Sequence, residues 1–136
     1  MKKILIYCIS LLLFSINLYA NPKIISLCPS VTKSIEKLNS SNDLIGVSSF
    51  CKPNKKITII GAPMTPNIEL IYSLSPDIII TESGMTKIAS IEKLKSLGLN
   101  VIEIKQSENF VDIKDNFLFI AGLLNKKELG QKIIFD

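Results

Sequence analysis

Short runs of β-branched and apolar residues alternate along the chain with segments whose apolar residues recur every three or four positions. The runs with the length and composition of strands are residues 24–27, 44–47, 57–60, 77–81 and 101–104. The fourth run is continuously apolar at its centre, which is typical of a strand covered on both faces in a parallel sheet. The alternation of strands and helices with short links therefore predicts an α/β domain with a mostly parallel sheet.

Local signals predict where the helices begin and end. Ser30 is expected to be the N-cap of the first helix and Asn67 the N-cap of the second, whose apolar face includes Tyr72. Gly98 is a suitable C′ residue for the third helix, which begins at Lys87. A fourth helix is predicted over residues 110–124, and a further helix begins after a short break at residues 125–128.

The first 20 residues have the pattern of a secretory signal peptide. Lys2 and Lys3 form a positive start, an apolar run extends from Ile4 to Leu18, and Ala20 is a small residue at the expected cleavage point. A transmembrane helix needs about 20 apolar residues, so the run is short for a span, and an uncleaved anchor is the alternative. We therefore expect the chain to be exported and cleaved near Ala20.

The composition argues against several kinds of chemistry. All 16 basic residues are lysine, there is no histidine, and the formal charge of +4 falls to +2 once Lys2 and Lys3 are removed. A weakly basic chain gives no support for nucleic-acid binding. Without histidine there is no imidazole metal ligand, general base or Ser–His–Asp triad. Glu69, Glu82 and Glu103 are scattered carboxylates, and no GxGxxG or phosphate-loop motif is present. We expect no metal site, no cofactor and no enzymatic activity.

Residues that follow the strands are the candidates for ligand binding, because ligands of such sheets lie at the carboxyl ends of the strands. Ser30, Phe50 and Met64 follow the first, second and third strands. Phe50 lies in a polar loop, where an aromatic ring can pack on a flat ligand or, alternatively, cap the core beneath the loop. Met64 has the same two interpretations, as a ligand contact or as a residue that fills a gap in the core.

Two cysteines also follow strands near this edge of the sheet. Cys28 and Cys51 come after the first and second strands, and in an oxidising compartment they are candidates for a disulfide. The bond requires α-carbons within about 7 Å, and two buried free thiols are the alternative. A secreted α/β enzyme or redox protein that uses Cys28 or Cys51 is accordingly the competing hypothesis on function. The chain contains no CxxC motif to support it.

Four segments in a fixed order carry a family resemblance. They are KIISLCPSVTKSIEKL (23–38), DLIGVSSFC (43–51), GAPMTPNIELIYSLSPDIIITESG (61–84) and IEKLKSLGLNVIEI (91–104). Over about residues 23–136 the chain resembles the N-terminal lobe of the periplasmic substrate-binding proteins for iron–siderophore complexes, haem and cobalamin. The most specific piece is Pro66-Asn67-Ile68-Glu69 followed by residues 74–80.

The resemblance implies a Rossmann-like three-layer lobe, one of the two lobes of a periplasmic-binding fold. Residues 1–20 would be the signal peptide, residues 21–125 the N-terminal substrate-binding lobe, and residues 126–136 the start of the helix that joins the lobes, with the second lobe missing. It also implies a periplasmic component of an ABC importer that captures a metal chelate, namely cobalamin, a ferric siderophore or haem, and delivers it to the permease. A structural or interaction domain without a small ligand is a third hypothesis.

The same resemblance assigns roles to single residues. Ser30, Phe50 and Met64 would contact the chelate, and Phe50 matches an aromatic position of the cobalamin binders. Glu69 matches a carboxylate that docks on the permease; its alternative is a helix-dipole role in the first turn after Asn67. The chain lacks the tryptophans of cobalamin binders and the arginines of siderophore binders, so the identity of the ligand stays open.

Overall fold

A computed structural model describes residues 21–136. The predicted signal peptide and its cleavage point near Ala20 therefore lie outside the described residues. The strands are β1 (Ile24–Ser26), β2 (Leu44–Val47), β3 (Thr58–Ile59), β4 (Ile78–Glu82) and β5 (Val101–Ile104). The helices are α1 (Pro29–Lys37), α2 (Ile68–Leu74), α3 (Ile88–Ser96), α4 (Phe110–Leu123) and α5 (Lys127–Phe135).

The strands form one five-stranded sheet in the order β3-β2-β1-β4-β5, and every neighbouring pair is parallel. The central strand β1 is fully buried, with Ile25 opposite Gly46 on one side and Ile79 on the other. The predicted parallel α/β fold is confirmed. Because all strands point the same way, the loops that follow them lie along one edge of the sheet.

Helices cover both faces of the sheet and give it three layers. We call the side covered by α1, α4 and α5 the α1 face, and the side covered by α2 and α3 the α2 face. The core of the α1 face is built around Ile24, Ile80 and Ile120, and that of the α2 face around Ile25 and Leu94. Neighbouring residues of a strand thus point into different cores, which explains why the strand sequences are apolar at successive positions.

Two local predictions are wrong. The N-cap of α1 is Cys28, whose backbone is extended (φ −134°, ψ 148°), and Pro29 begins the helix, so Ser30 already lies inside its first turn. Proline favours this first position because the N–H that it lacks has no partner within the helix. Tyr72 is 55% exposed and does not belong to the core, which α2 reaches through Ile71.

Other boundary signals act as predicted. The side chain of Asn67 caps α2 by accepting the Leu70 N–H at 3.0 Å. Gly98 follows α3 with a positive φ of 79°, a conformation that glycine adopts without strain. Within residues 21–136 no helix combines the length and the apolar character that a membrane crossing requires.

Candidate ligand-binding site

The loops at the carboxyl ends of β1 to β4, with the last residue of β4, form a continuous edge, which we call the rim (residues 27–30, 48–51, 60–64 and 82–87). Backbone hydrogen bonds tie these loops together. The Ser49 N–H donates to the Gly61 carbonyl at 2.8 Å, and the Lys87 N–H donates to the Met64 carbonyl at 3.3 Å. The rim is therefore a connected surface rather than a set of independent loops.

The three predicted ligand contacts all lie on the rim, each in a different loop. Phe50 is 63% exposed and Met64 is 45% exposed, and Ser30 is also exposed at the start of α1. The alternative in which Phe50 caps the core is wrong, since most of its ring faces solvent. Exposed large apolar side chains on a polar edge are a common mark of a binding surface.

Gly61 shapes the loop that carries Met64. Its φ is +96°, and a β-carbon at this position would lie 3.2 Å from the Asn67 nitrogen. The turn lets Gly61 form an antiparallel bridge with Pro66, while the Asn67 N–H donates to the Ile60 carbonyl at 2.7 Å. These contacts close residues 61–66 into a compact loop with Met64 at its outer side.

Glu82 is the rim residue that the sequence left among the scattered carboxylates. It is the last residue of β4, and its half-buried carboxylate accepts a hydrogen bond from the Ser30 hydroxyl. Ile78 and Ile80 pack into the core of the α1 face, so strand alternation also directs Glu82 to that face. Its position at the carboxyl end of a buried strand is the signal that could have singled it out.

Beneath the rim, the turn from β1 to α1 is held by buried hydroxyl groups. Thr32 donates to the Ser26 hydroxyl at 2.9 Å, and Ser26 donates to the Cys28 carbonyl at 3.0 Å. All three residues are almost fully buried. Because buried polar groups fix geometry when they are satisfied, this network holds the start of α1, and with it Ser30, at the rim.

In the structure Cys28 and Cys51 are buried free thiols, which corresponds to the second interpretation of this pair, and no disulfide joins them. The Cys51 sulfur lies 3.3 Å from the Ser48 hydroxyl and 4.0 Å from the Ser26 carbonyl oxygen. Burial, reinforced by the negative charge of Glu82, raises the pKa of the Cys28 thiol to about 12. Since the thiolate is the reactive form, Cys28 is poorly suited to redox or nucleophilic chemistry.

Glu69 lies in the first turn of α2 with an exposed side chain. The N-cap hydrogen bond of this helix is accepted by Asn67, and the charge of Glu69 lies near the positive end of the helix dipole. This placement leaves its carboxylate available at the surface, as a docking role requires.

A groove of about 600 Å³ runs from the rim along the α1 face, between α1 and α4. Ser30 and Glu82 form its polar end at the rim, and Phe117 and Ile120 form its apolar floor. Lys33 and Lys37 border it further along α1. Within residues 21–136, histidine, cysteine, aspartate and glutamate form no group of three that could hold a metal ion.

The chain matches a known protein family over most of its length. Residues 24–136 match the family model described as "Periplasmic binding protein". The vitamin B12-binding protein of Vibrio vulnificus is 30% identical over 125 residues, which cover 88% of this chain and 45% of that protein. The iron-uptake system-binding protein of Bacillus subtilis is 30% identical over 76 residues, covering 56% of this chain and 23% of that protein.

Solved structures agree with these sequence matches. The periplasmic vitamin B12-binding protein of Vibrio cholerae superposes with a TM-score of 0.72 at 27% identity, over 82% of this chain and 45% of that one. The periplasmic haem-binding protein of the same species gives a TM-score of 0.77 at 20% identity, over 84% and 45%, which is a likeness of fold. The chain spans less than half the length of these relatives. With a family model matched over residues 24–136, the chain belongs to the periplasmic binding protein family.

Proposed function

We propose that this chain is one lobe of the substrate-binding component of an ABC importer, which captures a metal chelate and delivers it to the permease. The candidate chelates are cobalamin, a ferric siderophore and haem. The observation that carries the proposal is the rim of the parallel sheet, where Ser30, Phe50 and Met64 lie exposed on three loops. In this interpretation the rim is one wall of the ligand cleft.

The family and its relatives support this choice among binding functions. A sequence relative and a solved structure carry names that describe vitamin B12 binding, and another relative is named for iron uptake. Membership of a binding-protein family also favours binding over catalysis. The buried Cys28 and Cys51 thiols give the competing redox hypothesis no accessible nucleophile.

The chemistry of the exposed rim side chains suits a large, flat metal complex. An aromatic ring such as that of Phe50 stacks on a conjugated macrocycle, and the flexible thioether of Met64 adapts to irregular apolar surface. Ser30 adds a hydroxyl group to the same rim, where it donates to Glu82. Neither Phe50 nor Met64 is needed to fill the core, so both side chains are available to contact a ligand.

The boundaries of the lobe follow from the same proposal. The signal peptide would occupy residues 1–20 and direct the chain to the periplasm after cleavage near Ala20. Residues 21–125 would form the substrate-binding lobe, and residues 126–136, which include α5, would begin the helix between lobes.

Binding can be tested with the 136-residue chain by equilibrium dialysis against cyanocobalamin, haemin and ferrichrome. We expect at least one complex to bind, with weak affinity because one wall of the cleft is present. Phe50→Ala should then weaken that binding about five- to tenfold, the size of an aromatic stacking contact. Tyr72→Ala is the matched control, since it removes a similarly exposed ring from α2. Equal losses in both variants, or no binding of any complex, would contradict the proposal.

Glu69 is the proposed permease contact. Glu69→Ala should reduce stimulation of the importer's ATPase in proteoliposomes while leaving the thermal unfolding of the chain almost unchanged, because its carboxylate is exposed. Glu92→Ala, an exposed carboxylate on α3, is the control and should leave stimulation intact. A Glu69→Ala variant that loses its fold would instead support the helix-dipole role.

A further inference from the structure

The carboxylate of Glu82 lies against the start of α1. The Ser30 hydroxyl, in the first turn of this helix, donates to Glu82 Oε1. The charge of Glu82 is also felt by Cys28, the N-cap residue of the same helix. A half-buried carboxylate thus lies beside the first turn of α1, the positive end of the helix dipole.

This position matters because a helix start at the carboxyl edge of a parallel sheet is a common place for an anionic ligand group. In this protein the chain's own carboxylate lies beside that position and accepts a hydrogen bond from the Ser30 hydroxyl. An anionic group of a ligand would have to approach Glu82 closely, and two like charges in a partly buried site repel each other. A neutral group with N–H donors would instead find an acceptor oxygen.

Glu82 forms no salt bridge with another described residue. Salt bridges in residues 21–136 join Lys33 to Glu36, Lys95 to Glu103 and Lys105 to Asp112, and none of them involves Glu82. The Lys33 ammonium group, which borders the groove one turn beyond Ser30, is held by Glu36 at 2.8 Å and by the Lys52 carbonyl at 2.9 Å. Lys37 borders the groove a further turn away. The negative charge of Glu82 is therefore exposed to a ligand at the polar end of the groove.

We propose that Glu82 is a specificity-determining residue that makes the rim select metal complexes with neutral amide or cationic groups at their edge, and reject complexes that present carboxylates there. The proposal rests on the function proposed above and narrows its ligand class. Amide-bearing corrinoids fit this selection, whereas complexes with peripheral carboxylates do not. Ser30 acts as a positioning residue, since its hydrogen bond holds the carboxylate at the helix start.

The test uses two probes that differ in charge but share size and metal: cyanocobalamin, whose side chains are amides, and its monocarboxylic acid derivatives, in which one amide is a carboxylate. Equilibrium dialysis with the 136-residue chain gives the ratio of the two affinities. We expect the wild-type chain to prefer the amide form. Glu82→Gln should reduce that preference about three- to tenfold, the size of one partly exposed charge interaction.

Three variants keep the result interpretable. Glu103→Gln removes the same charge from β5, where the side chain is turned to Lys95 on the α2 face, and it should keep the wild-type ratio. Glu82→Asp retains the charge and should preserve most of the preference. Ser30→Ala should lower it partly, by releasing the carboxylate from α1. Thermal unfolding of each variant shows that the fold is retained.

The outcomes separate the two proposals. If cyanocobalamin binds and Phe50→Ala weakens it, but Glu82→Gln and Glu103→Gln give the same affinity ratio, the selection proposal is overturned and the receptor proposal stands. If the carboxylate derivatives bind more tightly than cyanocobalamin to the wild-type chain, the selection proposal is also overturned. If neither form binds, nor haemin or ferrichrome, the receptor proposal fails and the selection proposal fails with it.

Discussion

The two faces of the sheet are built from the same β–α units but differ in what they bury. The α2 face has an apolar core centred on Ile25, Ile79 and Leu94, and its buried polar groups include the hydroxyl pair of Thr81 and Thr86, 2.9 Å apart. The α1 face buries two thiols and a hydroxyl network, carries an open groove, and directs Glu82 to the rim. The difference indicates that the α2 face mainly stabilises the lobe, while the α1 face also organises the candidate site.

The largest expected effect on stability comes from a substitution in the closed core of the α2 face. Leu94→Ala should lower the free energy of unfolding by about 3–5 kcal/mol, because Leu94 is fully buried and its removal leaves a closed cavity. Ile120→Ala on the α1 face should cost less, about 2–3 kcal/mol, since Ile120 already borders the open groove. Urea denaturation measures both, and a larger loss for Ile120→Ala would contradict this view of the faces.

The next largest effect on stability is expected on the α1 face, where α4 and α5 pack closely against each other. A β-carbon on Gly130 would lie 2.6 Å from the β-carbon of Ala121, so Gly130→Ala should destabilise the chain by about 1–3 kcal/mol. Gly122→Ala is the control, because nothing lies within 4 Å of its would-be β-carbon. It should stabilise α4 slightly. Combining Gly130→Ala with Ala121→Gly should recover part of the loss, and no recovery would contradict a steric cause.

The helix cap at Asn67 gives a smaller effect on the α2 face. Asn67→Ala removes the hydrogen bond to the Leu70 N–H and should cost about 1 kcal/mol in the free energy of unfolding. Asn67→Asp, which keeps an acceptor oxygen, should cost much less. If both substitutions cost the same, the side-chain hydrogen bond is not the stabilising contact.

The effect on stability that is smallest at neutral pH is a pH dependence from the α1 face. Cys28 has a pKa of about 12 in the folded chain, against an ordinary value of 9.0. Between these values the unfolded chain releases a proton that the folded chain keeps, so stability should fall as the pH rises from about 9 towards 12. Cys28→Ser should reduce this decline relative to wild type. At pH 8 the thiol is protonated and buried, so iodoacetamide should modify it far faster in guanidinium than in buffer.

Much of the fold could be predicted from the sequence because the sheet is parallel and buried. Strands buried on both faces need apolar residues on both sides. A continuous apolar run such as residues 78–80 therefore predicts a buried parallel strand. The exact ends of the strands are harder to predict from sequence. β4 extends to Glu82, one residue beyond the predicted run. Glu82 therefore belongs to a strand, which fixes the direction of its side chain, rather than to a loop. Its contact with Ser30 joins residues 52 positions apart, which no local pattern encodes.

The candidate site was predictable in position but only partly in detail. Ser30, Phe50 and Met64 could be placed on one edge because parallel topology fixes where strand ends lie. The role of Ser30 was missed, since Pro29 takes the first helical position and moves the N-cap back to Cys28. The state of Cys28 and Cys51 depends on side-chain directions that sequence spacing does not determine.

The central claim is that the rim at the carboxyl ends of β1 to β4 is a ligand-binding wall. Its most direct test is a map of backbone amide chemical-shift changes in the ¹⁵N-labelled chain during titration with cyanocobalamin, and then with haemin and ferrichrome. We predict changes concentrated in residues 27–30, 48–51, 60–64 and 82–87 for at least one complex, with the loops at the opposite edge of the sheet unaffected. Changes centred at that opposite edge, or no changes with any of the complexes, would contradict the account.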